Sequence, residues 1–410
     1  MKKIGSYLSD KNVYEFHEEP LFYQSEYFNV YFQKAVEEFR NHLDLNNILV
    51  TSAQEVVYSQ LSKYFKSMSK GDIDDRKRAV ENYFQSCGFG KIDLQPIQAK
   101  GGYIIAENEH YAQAWLKHFG KRTEHESGVS YFTLGFLAGA VEAIFDTQPG
   151  VFTGIQLSCI SKGDSECKFE IYRGLKRKIN ASPSFGKENT AEFNELKVNP
   201  VLHAIEDLNL DGRKSDDGLI HEFDTTLTRH YVNYFALVSI KLLMLSNKKI
   251  GGAGFKKAKE AIFKTAQDNL YFTAGKVMNS EKWSELMAVR PELGGQSHLK
   301  NVVDLQTAFG LGHWDLQGND SKNVEIKIYN SPITNAYLKL VGNTKAAIGY
   351  YQGGVVSAIG NLMTKGFATD GDVDLNYVDK YSKDNDFQYT EKQSRMTGHD
   401  LDLINATNDY

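Results

Sequence analysis

Cysteine is scarce, with three residues (Cys87, Cys159 and Cys167) in a chain of 410. Three thiols cannot staple a chain of this length, so a disulfide framework is excluded and a reducing compartment is expected. Long hydrophobic runs are lacking as well. No stretch of about 18 apolar residues occurs, which leaves no candidate transmembrane helix. The opening Met-Lys-Lys leads within a few residues to Ser9, Asp10, Lys11 and Asn12 instead of the apolar core of a secretory signal. The expected location is therefore cytoplasmic. Positive charge is not in excess either. The net charge of −5 provides no global field to draw nucleic acid or an anionic membrane. Complete catalytic motifs are missing too. "GGAGFKK" (251–257) lacks the spacing of a phosphate-binding loop, and neither a GxSxG elbow nor a helix-turn-helix signature is present.

What remains is an ordinary globular composition, 41% apolar and 24% charged, in a chain too long for one typical core. Phe (24) and Tyr (23) are plentiful and read first as core and interface filler.

The most informative feature is an internal repeat. "GFGKIDLQ" (88–95) recurs as "GLGHWDLQ" (310–317), identical at five of eight positions at a spacing of 222. At that spacing "NEHYAQAWLKHFG" (108–120) falls on "NSPITNAYLKLVG" (330–342), keeping Asn108, Ala114, Leu116, Lys117 and Gly120. At a spacing of 218, "YFTLGFLAGAVEAIF" (131–145) falls on "GYYQGGVVSAIGNLM" (349–363), and "IQLSCISKGDSECKFEI" (155–171) on "VDLNYVDKYSKDNDFQY" (373–389). Matches in one order with one small shift predict a tandem duplication. The first copy is expected over 1–174, a polar linker with Pro183 and Gly186 over 175–198, a second copy over 199–391, and a disordered tail over 392–410.

Apolar spacing predicts the same elements in each copy: two helices, a hairpin, two helices and a last hairpin, α-α-β-β-α-α-β-β. This is an α+β class with antiparallel sheets. Further helices are expected around 23–44 and 219–247. Asn108 is a candidate N-cap. The segment 129–145 is apolar nearly all round and holds Gly135 and Gly139, the pattern of a buried helix that another backbone approaches closely. The two copies are expected to pack as an intramolecular pseudo-twofold pair.

The stretch 131–173 resembles the 4-vinyl reductase domain family. The features that carry the likeness are Gly135 and Gly139 in a small-residue-rich helix, Cys159 ending a strand, Gly163-Asp164, and Cys167 with Phe169. The second copy keeps Gly353 and Phe387 but has Tyr377 and Asn385 in place of the cysteines. It therefore looks more like the related TRAPP-type tethering subunits, which share the fold without metal ligands. Relatives also include the sensor domains of phenol-responsive activators, and several family members hold a hydrophobic ligand or acyl chain between helices and sheet. The resemblance implies a zinc site completed by a carboxylate three residues before the first cysteine and a further cysteine on the buried helix. Those places hold Gln156 and Thr133, so Cys159 and Cys167 are an incomplete metal site. Zinc is possible and no other cofactor is expected; buried structural thiols or a reversible disulfide are the alternatives.

For the first copy the resemblance implies an apolar pocket lined by His110, Trp115, His118, Phe132 and Phe136, with His110 as the orienting polar group. The alternative is that these side chains simply pack the core. The second copy has Pro332 in place of His110. "DLNLDGRKSDDG" (207–218) begins like a calcium loop but ends in Gly218 instead of the required Glu, and reads as an acidic turn. His221, Glu222 and His230 lack zinc-ligand spacing and read as surface groups. The expected function is that of a non-enzymatic regulatory protein that binds a small apolar or aromatic molecule and acts through a protein partner. A tethering-type assembly scaffold and a reductase-type enzyme or accessory are the alternatives.

Overall fold

In the computed structural model, residues 5–68, 71–123, 128–174, 199–366, 372–383 and 386–408 are described. The expected linker, 175–198, and Asn385 lie outside them. The chain opens with a meander, β1 (Ser6–Leu8), β2 (Val13–Phe16) and β3 (Glu19–Ser25). His17 and Glu18, at φ 50° and 64°, form the β2–β3 turn; the left-handed pair matches the twist of the flanking strands. Ser25 then accepts from the Phe28 amide and starts α1 (Glu26–Glu37). A π-helical turn at Asn46–Val50 leads into α2 (Thr51–Ser67), and a reciprocal Asp72–Asp75 capping box starts α3 (Ile73–Ser86). The remainder of this half is β4 (Ile92–Asp93), β5 (Gly101–Ala106), α4 (His110–Phe119), α5 (Tyr131–Ile144), β6 (Phe152–Ser158) and β7 (Cys167–Arg173). The cap of α4 is Glu109, whose carboxylate accepts from the Ala112 amide; it is not the expected Asn108.

The second half runs α6 (Pro200–Leu208), β8 (Ile220–Glu222), β9 (Thr225–Tyr231), α7 (Val232–Ile250), α8 (Gly252–Asn279), α9 (Glu281–Val289), α10 (Pro291–Gly294) and α11 (His298–Ala308). It continues with β10 (His313–Asp320), β11 (Asn323–Tyr329), α12 (Pro332–Val341), α13 (Tyr350–Lys365), α14 (Leu375–Ser382), β12 (Gln388–Gln393) and β13 (Asp402–Thr407). The class is α+β, with antiparallel sheets. One four-stranded sheet has the order β4-β5-β7-β6 and the other β10-β11-β13-β12, the same order of corresponding strands.

Three expectations are corrected. Residues 375–382, which the repeat placed in the last hairpin, form α14. The last hairpin lies further on, at β12 and β13, so the segment expected as a disordered tail supplies an interior strand paired with both β11 and β12. Each half is also preceded by a hairpin, and not only by helices. The β3 strand pairs antiparallel with β9, Tyr23 opposite Arg229, which builds a five-stranded sheet β1-β2-β3-β9-β8 from both halves.

Two glycine positions explain why the repeat keeps them. Gly90 (φ 101°) backs onto Asn108, where an added Cβ would stand 2.2 Å from the carbonyl oxygen; Gly312 (φ 88°) backs onto the Tyr329 oxygen at 2.6 Å. The buried helices α5 and α13 cross α2 and α8. At the crossings a Cβ on Gly135 would stand 2.2 Å from the Val50 oxygen, and one on Gly354 2.3 Å from the Phe263 oxygen. The counterpart of Gly135 is thus Gly354, one residue beyond the expected Gly353. Buried apolar side chains of both halves join in one continuous core.

Candidate functional site

The β8–β9 hairpin turns on Phe223 and Asp224, at φ 55° and 54°. Side-chain-bearing residues pay a steric penalty in that region, and burial of Phe223 holds the turn in place. The turn projects Glu222, Asp224, Thr225 and Thr226 toward the first turns of α4. Ser280 caps α9 by accepting from the Trp283 amide, and α9 presents Glu281, Lys282 and Glu285 to the same space. Between these elements lies an open polar cleft of about 720 Å³, walled on one side by Glu26, Asn108, His110, Gln113 and Lys117 and on the other by residues 217–226 and α9.

Glu26 is the buried anchor of the first wall. Lys117 donates to its Oε1, Thr226 Oγ1 donates to Oε2 at 2.6 Å, and His118 Nε2 lies 3.6 Å from Oε1. Burial pushes its carboxyl pKa up, but the neighbouring His118 ring, with the Lys117 and Thr226 hydrogen bonds, outweighs burial and holds the group down at about 2. On the other wall Asp217 accepts from His221 at 2.7 Å.

His110 is the first residue of α4 and is 1% exposed. Its Nε2 accepts from Asn29 Nδ2 at 3.0 Å, which assigns the ring proton to Nδ1. That Nδ1 is buried and finds no partner. Burial lowers the ring pKa to about 4, so the imidazole is neutral at physiological pH. His110 thus contributes a neutral imidazole to the cleft lining, and its unspent N–H donor is itself closed to solvent. An unsatisfied buried donor costs about 1–3 kcal/mol.

The structure divides the other residues expected to line an apolar pocket. Phe132 and Phe136 are fully buried, with ring centroids 6.1 Å apart. They pack with Phe89, Tyr111, His230, Tyr231 and Tyr234, and Phe89 carries the cluster to His110. Trp115 lies elsewhere, 4.7 Å from Phe119 and beneath the Arg122 guanidinium at 4.4 Å. His118 is surrounded by Tyr27, Tyr31 and Phe272 at the junction with α1 and α8. The expected apolar space is largely filled by these rings. The adjoining void between Phe28, Tyr111, His230 and Tyr234 measures about 10 Å³, room for one water at most. His230, expected at the surface, is a core residue that bonds the Tyr111 hydroxyl at 2.7 Å.

Cys159 and Cys167 are buried; the Cys159 thiol lies 3.0 Å from the Ser161 hydroxyl, and the Ile160 amide donates to Cys167 Sγ at 3.5 Å. Thr133 Oγ1 is committed to Glu109 at 2.5 Å, and the Gln156 amide to Ser130 at 3.1 and 3.2 Å. The two positions that would complete a zinc site are thus occupied by neutral side chains already spent on other partners. Among the described residues, no group of three or more His, Cys, Asp or Glu is arranged to hold a metal ion. Sequence reasoning missed Glu109 here. Its buried carboxyl, raised to about 7 by burial against the hydrogen bonds of Thr133, Ser130 and Ala112, organises the polar cluster beside Cys167. Its only sequence signal was its place immediately before a helix. Among the described residues, no helix is long and apolar enough to cross a membrane.

No family model matches the chain, and no curated protein matches it. Among solved structures it is similar to the crystal structure of the phenol-responsive sensory domain of the transcription activator PoxR with phenol. That match has a TM-score of 0.33 and 12% identity, covering 41% of this chain and 84% of that one.

Proposed function

We propose that the chain is a non-enzymatic ligand-binding regulatory protein. A small molecule occupies the cleft between α4 and the β8–β9 hairpin, and a protein partner reads the resulting change in the packing of the two halves. The observation that carries this reading is His110, a buried, neutral, half-partnered imidazole lining an open cleft of about 720 Å³. The site is polar, in place of the apolar pocket expected from the sequence. Because its walls come from α1 and α4 on one side and β8, β9 and α9 on the other, a bound molecule touches both halves at once. Occupancy then biases their relative packing by as much as the ligand prefers one arrangement. The halves themselves are read as tandem copies of one 4-vinyl-reductase-like domain, in keeping with their shared strand order. A thermal-shift screen of a metabolite library tests the function. Compounds that stabilise the native chain but not a His110→Phe variant are expected; a library without such compounds removes the reading.

One observation favours the assembly reading beside it. Tyr103, Ile155, Leu157 and Tyr172 stand 51%, 44%, 47% and 38% exposed on the outer face of the first four-stranded sheet. This partly apolar face, with Glu170 between Tyr103 and Ile155, is a candidate contact for the protein partner.

A further inference from the structure

The two four-stranded sheets correspond strand for strand, β5 to β11, β7 to β13 and β6 to β12. A bulge interrupts β6 beside Gln156 and β12 beside Glu391. Register then matches their outer faces residue by residue. Tyr103 and Ile155 flank Glu170 in the first sheet, and Glu325 and Thr390 flank Asn405 in the second. Leu157 and Lys392 stand at the two bulges. Where the first sheet bares Tyr103, Ile155 and Leu157, the second thus carries Glu325, Thr390 and Lys392. Lys392 pairs with Glu325 across β13, which suits a face that meets water. The fold does not require apolar residues at these positions, since the second sheet does without them.

We infer that two copies of this chain pair through the outer face of the first sheet, face to face about a twofold axis. The inference rests on the assembly reading above and commits its partner. The face is self-complementary. Lys168 and Glu170 stand two residues apart on β7, with Ile105 and Tyr103 beside them on β5 and Leu157 and Ile155 on β6. An axis lying between the two faces and crossing β7 at Phe169 brings Lys168 of each copy against Glu170 of the other. The same operation sets Tyr103 against Ile105 and Ile155 against Leu157, apolar on apolar. Lys168 lies over the Tyr103 ring, 5.0 Å from its centroid, and neither it nor Glu170 makes an ion pair among the described residues. The second sheet cannot pair this way, because Leu403 and Asn405 replace the two charges and Lys392 is spent on Glu325. Opposite charges and matched apolar pairs about one point are what an isologous contact needs; an unrelated partner needs no such symmetry. Exposed ion pairs are weak, but shelter between two sheets strengthens them and fixes the register.

Sedimentation equilibrium of the full chain tests the pairing, and a monomer–dimer equilibrium in the micromolar range is expected. Ile155→Thr with Leu157→Lys, which gives the first sheet the residues of the second, should leave a monomer. Lys168→Glu sets carboxylate against carboxylate at both symmetry-related contacts and should weaken the dimer about tenfold or more. Adding Glu170→Lys restores the opposition of charge and should recover the native constant. A merely local role of Lys168 in its sheet would not be rescued in this way. A dimer unmoved by these changes, or weakened by Lys168→Glu without recovery in the double variant, overturns the inference, as does a chain that stays monomeric at every concentration. Photo-crosslinking from p-benzoylphenylalanine in place of Leu157, in cells producing the chain, then tells the two readings apart. A monomer that crosslinks to another protein leaves the assembly reading standing and removes self-pairing; a monomer that crosslinks to nothing removes both.

Discussion

His110 and His230 are neutral in the fold because burial holds their pKa values at about 4 and about 3. In the unfolded chain each protonates near 6.5, so the stability they hold at neutral pH is lost as pH falls from about 6.5 toward 4. Glu19 works in the opposite direction. Burial raises it to about 8 despite two hydrogen bonds from Asn233, at 2.7 and 3.2 Å. Its contribution is complete below the unfolded carboxyl pKa of about 4.5 and is lost as pH rises toward 8. Glu19→Gln, which cannot ionise, should therefore flatten the pH dependence of unfolding free energy between about pH 5 and 8. Chemical denaturation across that range checks it, and a curve parallel to the native one would contradict the assignment. Phe132, fully buried among aromatic rings, gives the simplest packing test. Phe132→Ala should cost roughly 3–5 kcal/mol by denaturant titration, and a loss under 1 kcal/mol would mean the cluster is loosely packed.

At the scale of elements, the helix crossings and the last strand carry the most consequence. Gly135→Ala and Gly354→Ala should each destabilise by more than ~2 kcal/mol, because the added methyl meets a carbonyl oxygen that cannot move without shifting a helix. Truncation after residue 391 should abolish cooperative unfolding of the second half, since it removes β13 from between β11 and β12. Circular dichroism melts would show it; an unchanged transition would restore the disordered tail. The buried helices and the first-half hairpins were legible because their periodicity and glycines are strong. β13 was not, because the buried Asp402 shares the inward face with Ile404 and Ala406, and α14 interrupts the spacing of the repeat. The N-terminal hairpins were hidden for another reason. Their turns are His17-Glu18 and Phe223-Asp224, without the Asn-Gly or Gly signature that marks such a turn in sequence.

At the scale of the whole molecule, the β3–β9 pairing makes the halves interdependent. Residues 1–174 expressed alone would bare the β3 edge and the aromatic face of α1, and should aggregate or self-associate; a monodisperse monomer by size-exclusion chromatography would contradict that. The junction also explains why only part of the site was legible. His110 stood out at a helix start, but the residues facing it across the cleft, 217–226 and 281–285, come from more than a hundred positions away and carry no motif. The apolar pocket expected around it was closed by His230, Tyr231 and Tyr234, whose positions follow from the sheet shared between halves. Hydrogen exchange of the full chain with and without the strongest compound from the library screen tests the central claim most directly. Ligand binding across the junction predicts slowed exchange at 110–117, 217–226 and 281–285 together. Slowing confined to one half, or absent from all three segments, would contradict it.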